Sequence, residues 1–123
     1  MANPAFAAFV DTLKDSERPM ISPSRLASVL ALQIQDFAAC AGVHRNTLRN
    51  HPESARVQAF SRNVVRVLSA ASDVQPDRES IVFWLMNQPL RPFRHKTAFE
   101  LICEGRSDDV VDYLASIESG FAG

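Results

Sequence analysis

Several residue types are scarce in this 123-residue chain: it has two cysteines, two lysines among 13 basic residues, one tryptophan and one tyrosine. Two cysteines, Cys40 and Cys103, are too few for a disulfide-stapled scaffold. Neither sits in a C-x-x-C pair, which argues against zinc, and both read as small apolar core groups. No run approaches about 18 consecutive apolar residues, and no charged start leads into a long apolar stretch. On those two absences neither a membrane span nor a signal peptide is expected, and a soluble, cytoplasmic protein is the default expectation. Also missing are a phosphate-binding GxxxxGK[ST] loop, a GxSxG nucleophile elbow and an HExxH zinc helix. The three histidines, His44, His51 and His95, fall in separate segments without ligand spacing. The acids Asp108, Asp109 and Asp112 imitate a metal cluster, but acids at a helix start more often serve the helix dipole. Neither an enzyme nor a cofactor is expected.

What the chain does have is apolar content of 46% and a formal net charge of only -1. That suits one compact domain, or two very small ones sharing a core. The near-neutral total hides a segregation. Between His44 and Arg66, Arg45, Arg49, Arg56, Arg62 and Arg66 face the single Glu53, and between Glu100 and Gly123 six acids face Arg106 alone. A basic middle and an acidic end predict two differently charged surfaces.

Periodicity predicts an all-α fold. Asn3 and Pro4 begin a helix carrying Phe6, Phe9, Val10 and Leu13 on one face. Ser22-Pro23 starts a second helix, with Leu26, Val29 and Leu30 facing inward. Ile34, Phe37, Ala38 and Ala41 describe a short helix closed by Gly42, and Arg45 to Asn50 a second one anchored by Leu48. Two short helices joined by a glycine turn match helix-turn-helix geometry. Ser54 opens a long helix to about Ala71 with a stripe of Val57, Phe60, Val64, Val67 and Leu68. Ser72 to Pro76 is the candidate boundary, dividing the chain into 1–72 and 73–123. Beyond it, Pro76 starts a helix with Ile81, Trp84 and Leu85 inward, so Trp84 is expected to be largely buried where the halves meet. Thr97 and Glu100 form a capping box. Ser107 caps a final helix with Val110, Val111, Leu114 and Ile117 inward, and Gly120 breaks it.

The basic patch has two readings. It is either a solvated face balancing the acidic end or a nucleic-acid surface. In the second reading His44, Arg45, Asn46, Thr47 and Arg49 head the second short helix. There arginine matches guanine edges, asparagine matches adenine, and threonine takes bases or phosphates. Arg62 and Arg66, with Arg56, then add phosphate contacts. A module this small binds weakly alone, so a homodimer or larger multimer on repeated half-sites is expected.

The C-terminal half carries Trp84-Leu85, Asn87-Gln88-Pro89-Leu90, Lys96-Thr97-Ala98-Phe99-Glu100-Leu101-Ile102, Gly105, Val110, Leu114-Ala115-Ser116-Ile117 and Gly120. This spaced set resembles the toxin-binding domain of the Xre/MbcA/ParS antitoxins, and Ser22 to His51 resembles the Xre-type helix-turn-helix that precedes it in that family. Two features depart from the family pattern. Ala98 stands where proline is frequent, and Arg91-Pro92-Phe93-Arg94-His95 replaces a loop that commonly carries glycines. The resemblance implies a type II antitoxin whose partner is a RES-domain toxin. Such a toxin consumes NAD by phosphorolysis, hydrolysis or ADP-ribosyl transfer. The antitoxin covers its active-site cleft with the C-terminal segment, and the complex binds its own operator DNA. On this chain the implied toxin-binding residues are Asp108, Asp109, Asp112, Ser119, Gly120, Phe121, Ala122 and Gly123, with Arg94 and Lys96 from the preceding loop. An acidic final helix complements a cationic NAD pocket. Phe121 serves either as an apolar anchor in the toxin or as a core residue folded back on Trp84 or Phe99. The competing classes are a stand-alone helix-turn-helix regulator whose C-terminal half only dimerises, and an adaptor with neither activity.

Overall fold

Capping residues set most of the helix starts in the computed structural model, which describes residues 4–120 and side chains through Glu118. Asn3 and the Phe121-Ala122-Gly123 tail lie outside the described residues. Helix α1 (Pro4–Leu13) turns Phe6, Phe9 and Leu13 inward. Ser22 caps α2 (Pro23–Val29), its hydroxyl accepting the Arg25 N–H, with Pro23 in the first turn. Helices α3 (Ile34–Ala41) and α4 (Arg45–Asn50) follow, and then α5 (Ala55–Ser72), capped by Ser54. The C-terminal half contains α6 (Arg78–Asn87), a 3-10 turn (Arg91–Phe93), α7 (Ala98–Cys103) and α8 (Ser107–Gly120). Among the described residues the protein is all-α, and its extended pairings are the isolated bridges Lys14–Ile21 and Leu90–Lys96. Among the same residues no helix is long and apolar enough to cross a membrane.

The core forms around α5. Val57, Val64, Val67 and Leu68 are inaccessible to solvent, and α5 touches α1, α2 and α3 as well as α6, α7 and α8. One apolar cluster therefore runs from Phe6 to Leu114. Three rings cross it edge to face: Phe37 of α3 on Phe60 of α5 at 5.2 Å, and Phe60 on Phe99 of α7 at 6.1 Å. Edge-to-face geometry adds to the area these rings bury and fixes how α3 and α7 meet on α5.

Three details of the C-terminal half differ from the sequence expectation. Pro76 lies before α6 rather than in its first turn, because Asp77 is the cap and accepts the Ser80 N–H at 2.9 Å. Ser107, expected to cap the final helix, is instead the first residue of α8. Trp84 is half-buried, not enclosed. The inward stripe of α6 is Ile81 and Leu85, one turn apart; Trp84, three residues after Ile81, falls to the side of that stripe toward α8. It borders an apolar groove of about 210 Å³ with Val74, Leu114 and Ile117, and a second groove of about 450 Å³ with Pro89, Arg91 and Tyr113.

Candidate nucleic-acid interface

The α3–α4 corner is built around Gly42. At φ 77° this residue is left-handed, a conformation that suits glycine, and its N–H bonds back to Ala38 and Ala39. A β-carbon there would meet the Arg56 guanidinium at 3.3 Å. Arg56 reaches from the start of α5 and donates to the Gly42 carbonyl at 3.2 Å, bracing the turn. Arg56, to which the sequence reading gave a phosphate, thus also supports the corner. His44 likewise has a structural task, since its Nδ1 accepts the Asn46 N–H at 3.1 Å and caps α4.

Helix α4 buries only Leu48 and shows Arg45, Asn46, Arg49 and Asn50 to solvent, with Thr47 half-buried. Among the described residues neither Arg45, Arg49 nor Arg62 forms an ion pair. Their guanidinium groups are planar, permanently charged and able to make two parallel hydrogen bonds to a guanine edge or a phosphate. Arg45, Asn46, Thr47 and Arg49 thus share one short helix. Arg66 does not join them. It lies about 15 Å along α5 from Arg56 at helical rise, and it pairs with Asp108 of α8 at 2.5 Å. A residue read as a DNA contact and one read as a toxin contact satisfy each other.

A second group gathers at the other end. The loop before α7 folds back through Leu90, which donates to Lys96 and accepts from His95 at 2.9 Å each. Arg94 and His95 both take left-handed backbone, φ 58° and 66°. This explains how the loop turns without the glycines expected of it. Phe93 then stacks edge-on against Tyr113 at 5.8 Å while Arg106 covers its ring at 5.4 Å. Arg94 and the acid Asp112 are both exposed. Three other residues are engaged: Lys96 pairs with Glu104, Asp109 with Arg106, and Asp108 with Arg66. Ser119 and Gly120 continue α8, and Phe121, Ala122 and Gly123 lie outside the described residues.

Sequence reasoning missed two features. Gln58 is buried at 7% exposure and clamps two chain segments with its amide. Its position between Val57 and Ser61 on the inner arc of α5 was the available signal. Cys40 and Cys103, 63 positions apart, come close enough to interact, and burial pushes the Cys103 thiol well above its ordinary range with Cys40 adding to the shift. No spacing rule reveals that contact. Compared with known proteins, the chain matches no family model, no curated protein and no solved structure.

Proposed function

We propose that this protein is a type II antitoxin of the Xre/MbcA/ParS kind. In this reading α3 and α4 form a helix-turn-helix that binds operator DNA, and α8 with the loop before α7 covers the cleft of a RES-domain, NAD-consuming toxin. The observation that carries the DNA half is α4 itself: three solvent-facing recognition-type side chains, Arg45, Asn46 and Arg49, on a helix held by a glycine turn. The toxin half is supported by the resemblance and by the apolar grooves beside Trp84, which offer a partner ordered aromatic and aliphatic surface next to acidic α8.

Gel shifts across a salt series test the DNA half. Replacing Arg45 or Arg49 with alanine costs about 1–3 kcal/mol on the specific site and leaves folding intact. Binding to the gene's own upstream DNA no tighter than to random DNA sinks the proposal. Growth on co-expression with a RES-domain protein encoded beside the gene tests the toxin half, and growth arrest despite the antitoxin refutes it. The second reading, a regulator whose C-terminal half only dimerises, is favoured by one observation, the exposed apolar side of α6.

A further inference from the structure

Helix α6 has more apolar surface than the monomer uses. Ile81 and Leu85 are buried, yet Val82 and Met86 are only half-buried and Phe83 is 67% exposed. A surface helix ordinarily has one apolar stripe, and a helix apolar on several sides is normally covered on several sides. Beside Phe83 runs a groove of about 550 Å³ between α1, the end of α2 and α6, floored by Phe9, Val29, Val82 and Met86. Arg78 and Glu79 also line it, and the Arg78 guanidinium lies 4.9 Å over the Phe9 ring.

We propose that this groove is occupied by Phe83 of a second copy of the chain, so that the α6 faces form a two-fold dimer interface. The knob and the hole lie on the same side of the same helix. A two-fold axis passing beside α6 therefore inserts each Phe83 into the other copy's groove, the arrangement a self-complementary interface requires. The charges fit the same operation: Arg78 of one copy comes to face Glu79 of its partner, and the reverse. A partner carrying charge of one sign would leave either Arg78 or Glu79 opposed to like charge. An aromatic knob surrounded by aliphatic walls with a charged rim is also the usual anatomy of an interface hot spot. The dimer stands apart from the DNA and toxin readings and needs neither ligand.

Sedimentation equilibrium of the full chain, without DNA or toxin, tests it. The wild type is expected at twice its 13.6 kDa mass, with a dissociation constant on the order of 1–10 µM. Phe83→Glu raises that constant about 30-fold or more while circular dichroism stays unchanged, because the ring is on the surface. Glu79→Arg also weakens the dimer, and the exchanged pair Arg78→Glu with Glu79→Arg restores it. A wild type that stays monomeric over the same concentrations overturns the proposal, as does a dimer indifferent to Phe83→Glu. A monomer that dimerises only after deletion of 121–123 assigns the groove to the chain's own tail and overturns it too.

Discussion

Replacing Gln58 with leucine removes three hydrogen bonds at once and leaves the shape nearly unchanged. The Gln58 Oε1 accepts the Ile21 N–H at 3.1 Å, and its Nε2 donates to the Ile21 carbonyl at 2.8 Å and the Pro52 carbonyl at 2.9 Å. Ile21 lies at the entry to α2 and Pro52 at the exit from α4, so one amide ties both ends of the candidate DNA module to α5. A buried N–H left without a partner costs about 1–3 kcal/mol, and each lost neutral bond about 1 kcal/mol more. Allowing for relaxation, Gln58→Leu is expected to cost about 3 kcal/mol. In a domain of this size that corresponds to a melting point lower by about 10 °C. Gln58→Glu separates the geometry from simple packing. The introduced carboxylate keeps one acceptor for Ile21 but turns its second oxygen toward two carbonyls, which raises its folded-state pKa above the unfolded value. Stability lost by the Gln58→Glu variant at neutral pH should therefore return as pH falls and the carboxyl becomes a donor. The deficit of the Gln58→Leu variant should stay constant. Thermal melts from about pH 4 to pH 7 measure both. A melting point for Gln58→Leu within a degree or two of wild type refutes the clamp.

Arg66 and Arg62 should behave differently. On the proposed DNA-binding reading, Arg62→Ala lowers the salt slope of binding by about one, whereas Arg66→Ala leaves it unchanged and loses at most about 1 kcal/mol of stability with the Asp108 pair, read by a double-mutant cycle. Trp84→Ala, at a half-buried site, should cost about 1–2 kcal/mol of stability, below the roughly 3–5 expected of an enclosed aromatic; on the proposed antitoxin reading, toxin affinity also falls by about 2 kcal/mol or more by calorimetry. Cys103 keeps its proton where a free thiol ionises, so at about pH 8 iodoacetamide should modify it about tenfold more slowly than a free cysteine. Stability should also fall as pH rises past the ordinary thiol range, because the unfolded chain releases a proton that the folded one retains; Cys103→Ala should flatten that fall.

Local signals made the helix boundaries legible. Gly42 could end α3 because its left-handed turn needs no β-carbon, and the Thr97–Glu100 capping box marked the start of α7 within its own four residues. The stripe of α5 was visible for the same reason: its period is a property of one helix. Trp84, Arg66 and the two cysteines were misjudged or missed because their surroundings come from other elements. Helical spacing put Trp84 near the inner stripe, but whether it is covered depends on how α8 crosses α6. Arg66 looked like a free cation until α8 delivered Asp108 across 42 residues of sequence. The loop before α7 has no glycine, yet Arg94 and His95 accept left-handed backbone and make the turn.

Helix α5 connects the two candidate surfaces, and the order of its contacts determines how. From its start to its end, Arg56 holds the Gly42 turn, Gln58 holds the ends of α2 and α4, Phe60 joins Phe37 to Phe99, and Arg66 holds α8. Val57, Ser61, Val64 and Val67 on the same helix are fully enclosed, and the Ser61 hydroxyl is bonded to the Val57 carbonyl one turn back. A helix packed on all these sides does not bend without opening the core. If α8 takes a protein partner while α4 takes DNA, the two are held at a fixed spacing and angle along one rod. Coupling between them would then come from how assembled copies match spaced half-sites, not from a hinge inside the chain. Breaking the Arg66–Asp108 pair should accordingly leave DNA affinity of the free protein unchanged. Breaking the α6 dimer should weaken it on paired half-sites and leave a single half-site bound as before.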